Sequence, residues 1–133
     1  VEVWRDFNRL PSLKDAKDSE IPQKVRELSI QVRDDLEDIR GFYRNHRIDI
    51  YPAAELIDVD WAFFRWHQVQ LLGGLDFYES YGVKAPFKRD KMFNELIDLD
   101  YLLAALLVGG LASRDKRMVK RFKFLRPDGF VLN

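Results

Sequence analysis

The sequence predicts a helix-rich α/β domain, and three observations carry that expectation. Apolar residues recur every three or four positions over much of the chain, glycine pairs and proline turns punctuate them, and two short stretches, the half-apolar residues 111–115 and the apolar residues 130–132, flank a basic helical stretch. Because every strand signal is brief, a mostly-α or α+β helical domain with one or two short strands is the alternative. At 133 residues the chain has the length of one domain and can bury a core of its own. Residues 1–133 are read as a single domain, and Val1, standing where a Met would begin a chain, leaves room for residues upstream.

Taken in order, Val1, Val3 and Trp4 allow a short strand, followed by a polar loop through Leu10 and Pro11. Ser19 and Glu20 before Ile21 and Pro22 start a helix, since a proline in the first turn has no hydrogen bond to lose. Val25, Leu28, Val32, Leu36, Ile39 and Phe42 then predict one continuous amphipathic helix, with Arg33 and Glu37 four apart on its charged face. Residues 45–52 read as a connection holding a short strand at 48–51, and Pro52 favours a new helix from Ala53 or Ala54. From Trp61 to Leu72 large apolar groups lie on more than one side, so this should be the most buried helix. Gly73 and Gly74 predict an interruption, residues 75–81 another turn or two, and residues 83–86 a loop. Residues 88–108 form the long helix, in which Leu102, Leu103, Leu106 and Leu107 keep helical spacing and Ala104 and Ala105 add propensity; Gly109 and Gly110 end it. A short strand at 111–115, a basic helix at 116–124, a turn at Arg126-Pro127-Asp128-Gly129 and a last strand at 130–132 complete the chain.

Composition narrows the classes. A hydrophobic fraction of 47% with 14% aromatic residues excludes a disordered chain, and 33% charged residues fit a soluble surface. No apolar run approaches the ~20 residues that span a bilayer, and the opening VEVWRDF is not a signal peptide, so a cytoplasmic protein without membrane contact is expected. The absence of cysteine rules out disulfides, thiolate metal sites and cysteine nucleophiles. His46 and His67 have neither zinc spacing nor a helical relation, and His67, beside Trp66, reads as a member of a partly buried aromatic cluster. No Gly-rich phosphate loop and no nucleophile elbow occur.

The formal charge of zero hides an asymmetry. Seven basic residues lie between Arg114 and Arg126 against one acid, Asp115; with 22 of each sign in the whole chain, 15 basic and 21 acidic residues remain elsewhere, a net −6. A basic island on an acidic body suits phosphate, RNA or an acidic protein partner, and a solvated helix face explains it equally well. The acids show an echo: Glu55-Leu-Ile-Asp58-Val-Asp60 matches Glu95-Leu-Ile-Asp98-Leu-Asp100, offset by 40 residues. On a helix Glu55 would share a face with Asp58 and Glu95 with Asp98, and such pairs can hold a divalent cation. A duplicated hairpin would account for the echo, but chance together with the preference of acids for early helical positions is favoured, because the intervening residues do not match.

From Asp98 to Met118 the chain runs acid, alanine-containing apolar helix, glycine, short strand, Ser113-Arg114-Asp115-Lys116 and basic helix. This order resembles the C-terminal half of PIN-domain ribonucleases over about 35 residues. The resemblance implies a PIN-like α/β fold with a small parallel sheet, whose carboxylates at strand ends bind Mg²⁺ or Mn²⁺ to activate water against an RNA phosphodiester. It implies Asp115 as the late acid and Asp100 or Asp98 as the acid opening the preceding helix; the alanine placement favours Asp100 and the spacing favours Asp98. Asp6, in Asp6-Phe7-Asn8, stands where the family's first strand ends in an Asp-Thr-Asn or similar, and Glu37 where a helical glutamate is expected. Arg114, Lys116, Arg117, Lys120 and Arg121 would meet the phosphates. The N-terminal half departs from the family, with charges inside Val-Glu-Val-Trp-Arg and a crowd of acids at Asp34, Asp35, Glu37 and Asp38.

Two functions follow. One is a metal-dependent ribonuclease, or a degenerate relative that keeps the fold without the activity. The other is a non-catalytic helical binding or regulatory domain with a basic C-terminal helix, for which a homodimer is one form, its aromatic surplus making both core and interface. A small-molecule pocket lined by Trp61, Phe64, Trp66 and Tyr78 is a third reading, weighed below an ordinary core role for the same residues.

Overall fold

The computed structural model describes residues 13, 15–45, 54–81 and 89–133. The expected strands at residues 1–4 and 48–51, the loop at 83–86, Asp6 and His46 lie outside the described residues. The protein is helix-rich with a small parallel sheet: α1 (Ile21–Asp34), α2 (Leu36–Asn45), a 3₁₀ turn (Ala54–Leu56), α3 (Ala62–Tyr81), α4 (Arg89–Val108), β1 (Gly110–Ala112), α5 (Lys116–Leu125) and β2 (Phe130–Leu132). Among the described residues no helix is long and apolar enough to cross a membrane.

Pro22 sits in the first turn of α1, as its lost donor allows. The single helix expected over residues 25–42 is instead broken at Asp35, whose backbone leaves the helical region at φ −102°, ψ 87°. The break has a packing cause. Val25, Leu28 and Val32 pack into the main core, whereas Leu36 packs with the separate cluster of Ala54, Ile57 and Phe64, and a straight helix would not serve both. Ile39 and Phe42, the last members of the predicted stripe, have side chains outside the described set. Breaking the helix releases carbonyls, and the buried Gln68 of α3 answers them: its Nε2 donates to Arg33 O at 3.1 Å and reaches Val32 O at 3.5 Å.

The 3₁₀ turn replaces the helix expected after Pro52. Arg40 anchors it by donating from Nε and Nη2 to Ile57 O at 2.9 and 2.7 Å. Consequently the two halves of the acidic echo differ in structure: Glu55 and Asp58 lie in turns, where Asp58 Oδ1 accepts the Asp60 amide at 2.9 Å, while Glu95, Asp98 and Asp100 lie within α4. They are no structural repeat, and Glu55 and Asp58 share no helix face.

Helix α3 carries the core, as its apolar surroundings predict. Val69, Leu72, Leu75 and Tyr78 face the main cluster and Phe64 the smaller one. His67 is buried, edge-on to Phe63 at 4.5 Å and to Trp66 at 5.0 Å. Of the four residues considered for an aromatic pocket, Phe64 is core, Tyr78 donates its hydroxyl to Leu13 O at 3.2 Å, and Trp66 is exposed. Gly73 and Gly74 do not interrupt the helix. At Gly73 a Cβ would stand 2.7 Å from Leu99 Cδ1, so glycine here permits α3 and α4 to approach, and the contact offsets its low helix propensity.

Gly109 ends α4 with φ +79° and its amide donates to Ala105 O at 2.9 Å. The strands on either side of α5 pair in parallel, Gly110 with Phe130, Leu111 with Val131 and Ala112 with Leu132. Leu111 and Val131 belong to the core side, while Phe130 and Leu132 project to solvent. Because the strands are parallel, both end at the same edge, beside the N-terminus of α5.

Candidate functional site

Asp115 follows β1 and caps α5. Its Oδ1 accepts the amides of Arg117 at 2.8 Å and Met118 at 3.2 Å, and its own amide donates to Ser113 Oγ at 3.1 Å. The residue expected as the late acid thus stands at the strand tip, with one oxygen committed to helix capping. Replacing it with alanine is expected to lower stability by about 1 kcal/mol, whereas Asp115→Asn, whose amide oxygen can still accept, stays close to wild type in thermal denaturation. An alanine variant as stable as the parent would remove the capping role.

The other acids are dispersed. Asp100 is exposed and Asp98 half-buried on α4. Glu37 lies on α2, 2.6 Å from Arg40 and 3.5 Å from Arg44, and the Arg40 hydrogen bond, helped by both positive charges, holds its carboxyl below the usual glutamate value. Arg44 does the same to Glu55 at 2.7 Å. Among the described residues no group of three or more His, Cys, Asp or Glu side chains gathers as metal ligands. Asp6, one member of the Mg²⁺ or Mn²⁺ set that the resemblance implies, lies outside the described residues, and no chemical step is routed through that set.

The basic island divides by helix geometry into two sets. Arg117 and Arg121, one turn apart on α5, turn towards the neighbouring helices. Arg117 pairs with Glu95 of α4, and Arg121, almost fully buried, lies between Asp76 of α3 and Glu95, at 2.6 and 3.4 Å. Two further cations serve the backbone: Lys123 Nζ donates to Gly129 O at 2.6 Å, and Arg126 Nη1 donates to Leu106 O near the end of α4. Arg117 and Arg121, expected to meet phosphates, are thus held in ion pairs. Signals for this existed in the sequence, since Glu95 and Asp76 are acids on predicted helices, but nothing local indicated which cation each would meet.

Arg114, Lys116 and Lys120 remain. All three are exposed, and none has an ion-pair or hydrogen-bond partner among the described residues. With Ser113, Val119, Lys123 and Asn133 they line an open depression of about 620 Å³ where β1 and β2 end. Lys116, Lys120 and Lys123 follow the i, i+4, i+7 spacing of one helix face. Since Asp115 already occupies amides at the start of α5, an anion here would be met mainly by these side chains. No protein-family model matches the chain, and no curated protein or solved structure matches it significantly.

Proposed function

We propose that the chain is a PIN-like domain that binds RNA through the basic depression at the ends of β1 and β2, as a binding domain without metal-dependent cleavage. The observation that carries this reading is the convergence of Arg114, Lys116 and Lys120, three cations with no partner among the described residues, on one open surface, while Arg117 and Arg121 beside them are held in ion pairs. The parallel β–α–β unit supports it, because ligands of open α/β sheets sit beyond the carboxyl ends of the strands. A flexible polyanion matches a shallow basic surface better than a small molecule, which needs enclosure.

The test is fluorescence anisotropy with a labelled single-stranded RNA over a series of salt concentrations. Each phosphate contact on a single strand contributes a slope of about −0.7 in log K against log salt. Arg114→Ala/Lys116→Ala/Lys120→Ala is expected to reduce that slope by about 2 and weaken binding at least tenfold at low salt. Wild-type binding that the triple variant retains in full would sink the proposal.

Cleavage is a second reading, favoured by the position of Asp115 at the tip of β1. A thermal midpoint that rises in millimolar Mn²⁺ for the wild type and not for Asp115→Asn would replace the binding reading with the nuclease one.

A further inference from the structure

Helix α4 is apolar on its outer side as well as its inner one. Leu99, Leu102, Ala105 and Leu106 face the core. The opposite face presents Phe93, Leu96, Ile97, Asp100, Tyr101, Ala104, Leu107 and Val108, all exposed, with one charge among eight positions. Its six large apolar side chains are 41% to 80% exposed. A helix apolar all round belongs to a covered position.

We propose that this face is the contact by which two copies of the chain pair, with their α4 helices antiparallel about a two-fold axis passing near Asp100. Two arguments select a second copy as the occupant. First, the six side chains amount to roughly 600 Å² of apolar surface at the areas typical of large side chains. That is the upper end of what a monomer leaves in one patch, and two such faces together bury roughly 1,200 Å², the lower bound for a specific interface. Second, the face is graded in size. Phe93 and Ile97 make its N-terminal half bulky, whereas Ala104 opens a gap before Val108, so antiparallel copies place Ile97 against the partner's gap at Ala104 and Phe93 beside Val108. A self-complementary patch of this kind closes as a symmetric dimer. Asp100, at the middle of the face, is the one charge among these eight positions. It then approaches its own copy near the axis, which limits the affinity of the pair without preventing it.

The chain has no cysteine, so single introduced thiols report the arrangement cleanly. The wild type is expected to sediment as a monomer–dimer equilibrium at micromolar concentration. Ile97→Glu should remove the dimer while its circular dichroism stays unchanged, since residue 97 touches solvent in the monomer. Asp100→Asn should tighten the dimer by about tenfold, because it removes two like charges that this contact brings together. Under mild oxidation Asp100→Cys should link to its own copy and Phe93→Cys should not, while a mixture of Phe93→Cys and Val108→Cys chains should link. A wild type that stays monomeric at all concentrations overturns the proposal, as does an Ile97→Glu variant that still dimerises. Self-linking at residue 93 would overturn the antiparallel arrangement.

Discussion

Asp76→Ala is expected to cost about 3 kcal/mol of stability, and more than Arg121→Met does. The two substitutions break the same ion pair from opposite sides. Arg121 has a side chain only 9% exposed, against 34% for Asp76 and 23% for Glu95. Its Nε donates to Asp76 Oδ2 at 2.7 Å, while Nη2, buried and 2.6 Å from the same oxygen, is poorly aligned for a hydrogen bond. Removing Asp76 therefore leaves a buried cation with only the longer contact to Glu95, the costly outcome when a buried pair loses one member. Putting methionine at residue 121 leaves two acids that water can reach and fills the space with apolar atoms, for which about 1 kcal/mol is expected. Urea denaturation of both variants decides the matter; equal losses would mean that Arg121 is solvated in the native state and that this knot of three helices contributes little.

Gln68→Leu should cost about 2 to 3 kcal/mol, although leucine has a similar size and is apolar. Gln68 is 1% exposed and every polar atom of its amide is used. Nε2 serves the carbonyls released where α1 ends, and Oε1 accepts from Arg65 Nη1 at 3.0 Å. The same nitrogen of Arg65 donates to Leu125 O at 3.1 Å, at the end of α5. Gln68 and Arg65 of α3 together tie the α1–α2 break to the end of α5. Leucine would leave partly buried carbonyls without a donor, and the loss is that of desolvated acceptors rather than of packing volume. Thermal unfolding of Gln68→Leu beside Val69→Ala, a cavity variant in the next position, separates the two kinds of loss. A Gln68→Leu midpoint equal to wild type would show that water replaces the amide.

Local features of the fold are legible along the chain. The start of α1 at Pro22, the extent of α4, the stop at Gly109, the basic helix after Asp115 and the last strand all follow from spacing, propensity and turn chemistry, which act over a few residues. So did the burial of α3 and the aromatic setting of His67. Other features depend on partners distant in sequence. Whether Gly73 breaks a helix or lets two helices meet depends on Leu99, and the break at Asp35 depends on two separate clusters and on Gln68. The candidate site divides in the same way. Its position at the tip of β1 was legible, because the order acid, helix, glycine, strand, acid is written along the chain. Which of its cations remain available was not. Charge in a sequence has no direction, and only the packing of α3 and α4 against α5 assigns Arg117 and Arg121 to Glu95 and Asp76 and leaves Arg114, Lys116 and Lys120 facing solvent.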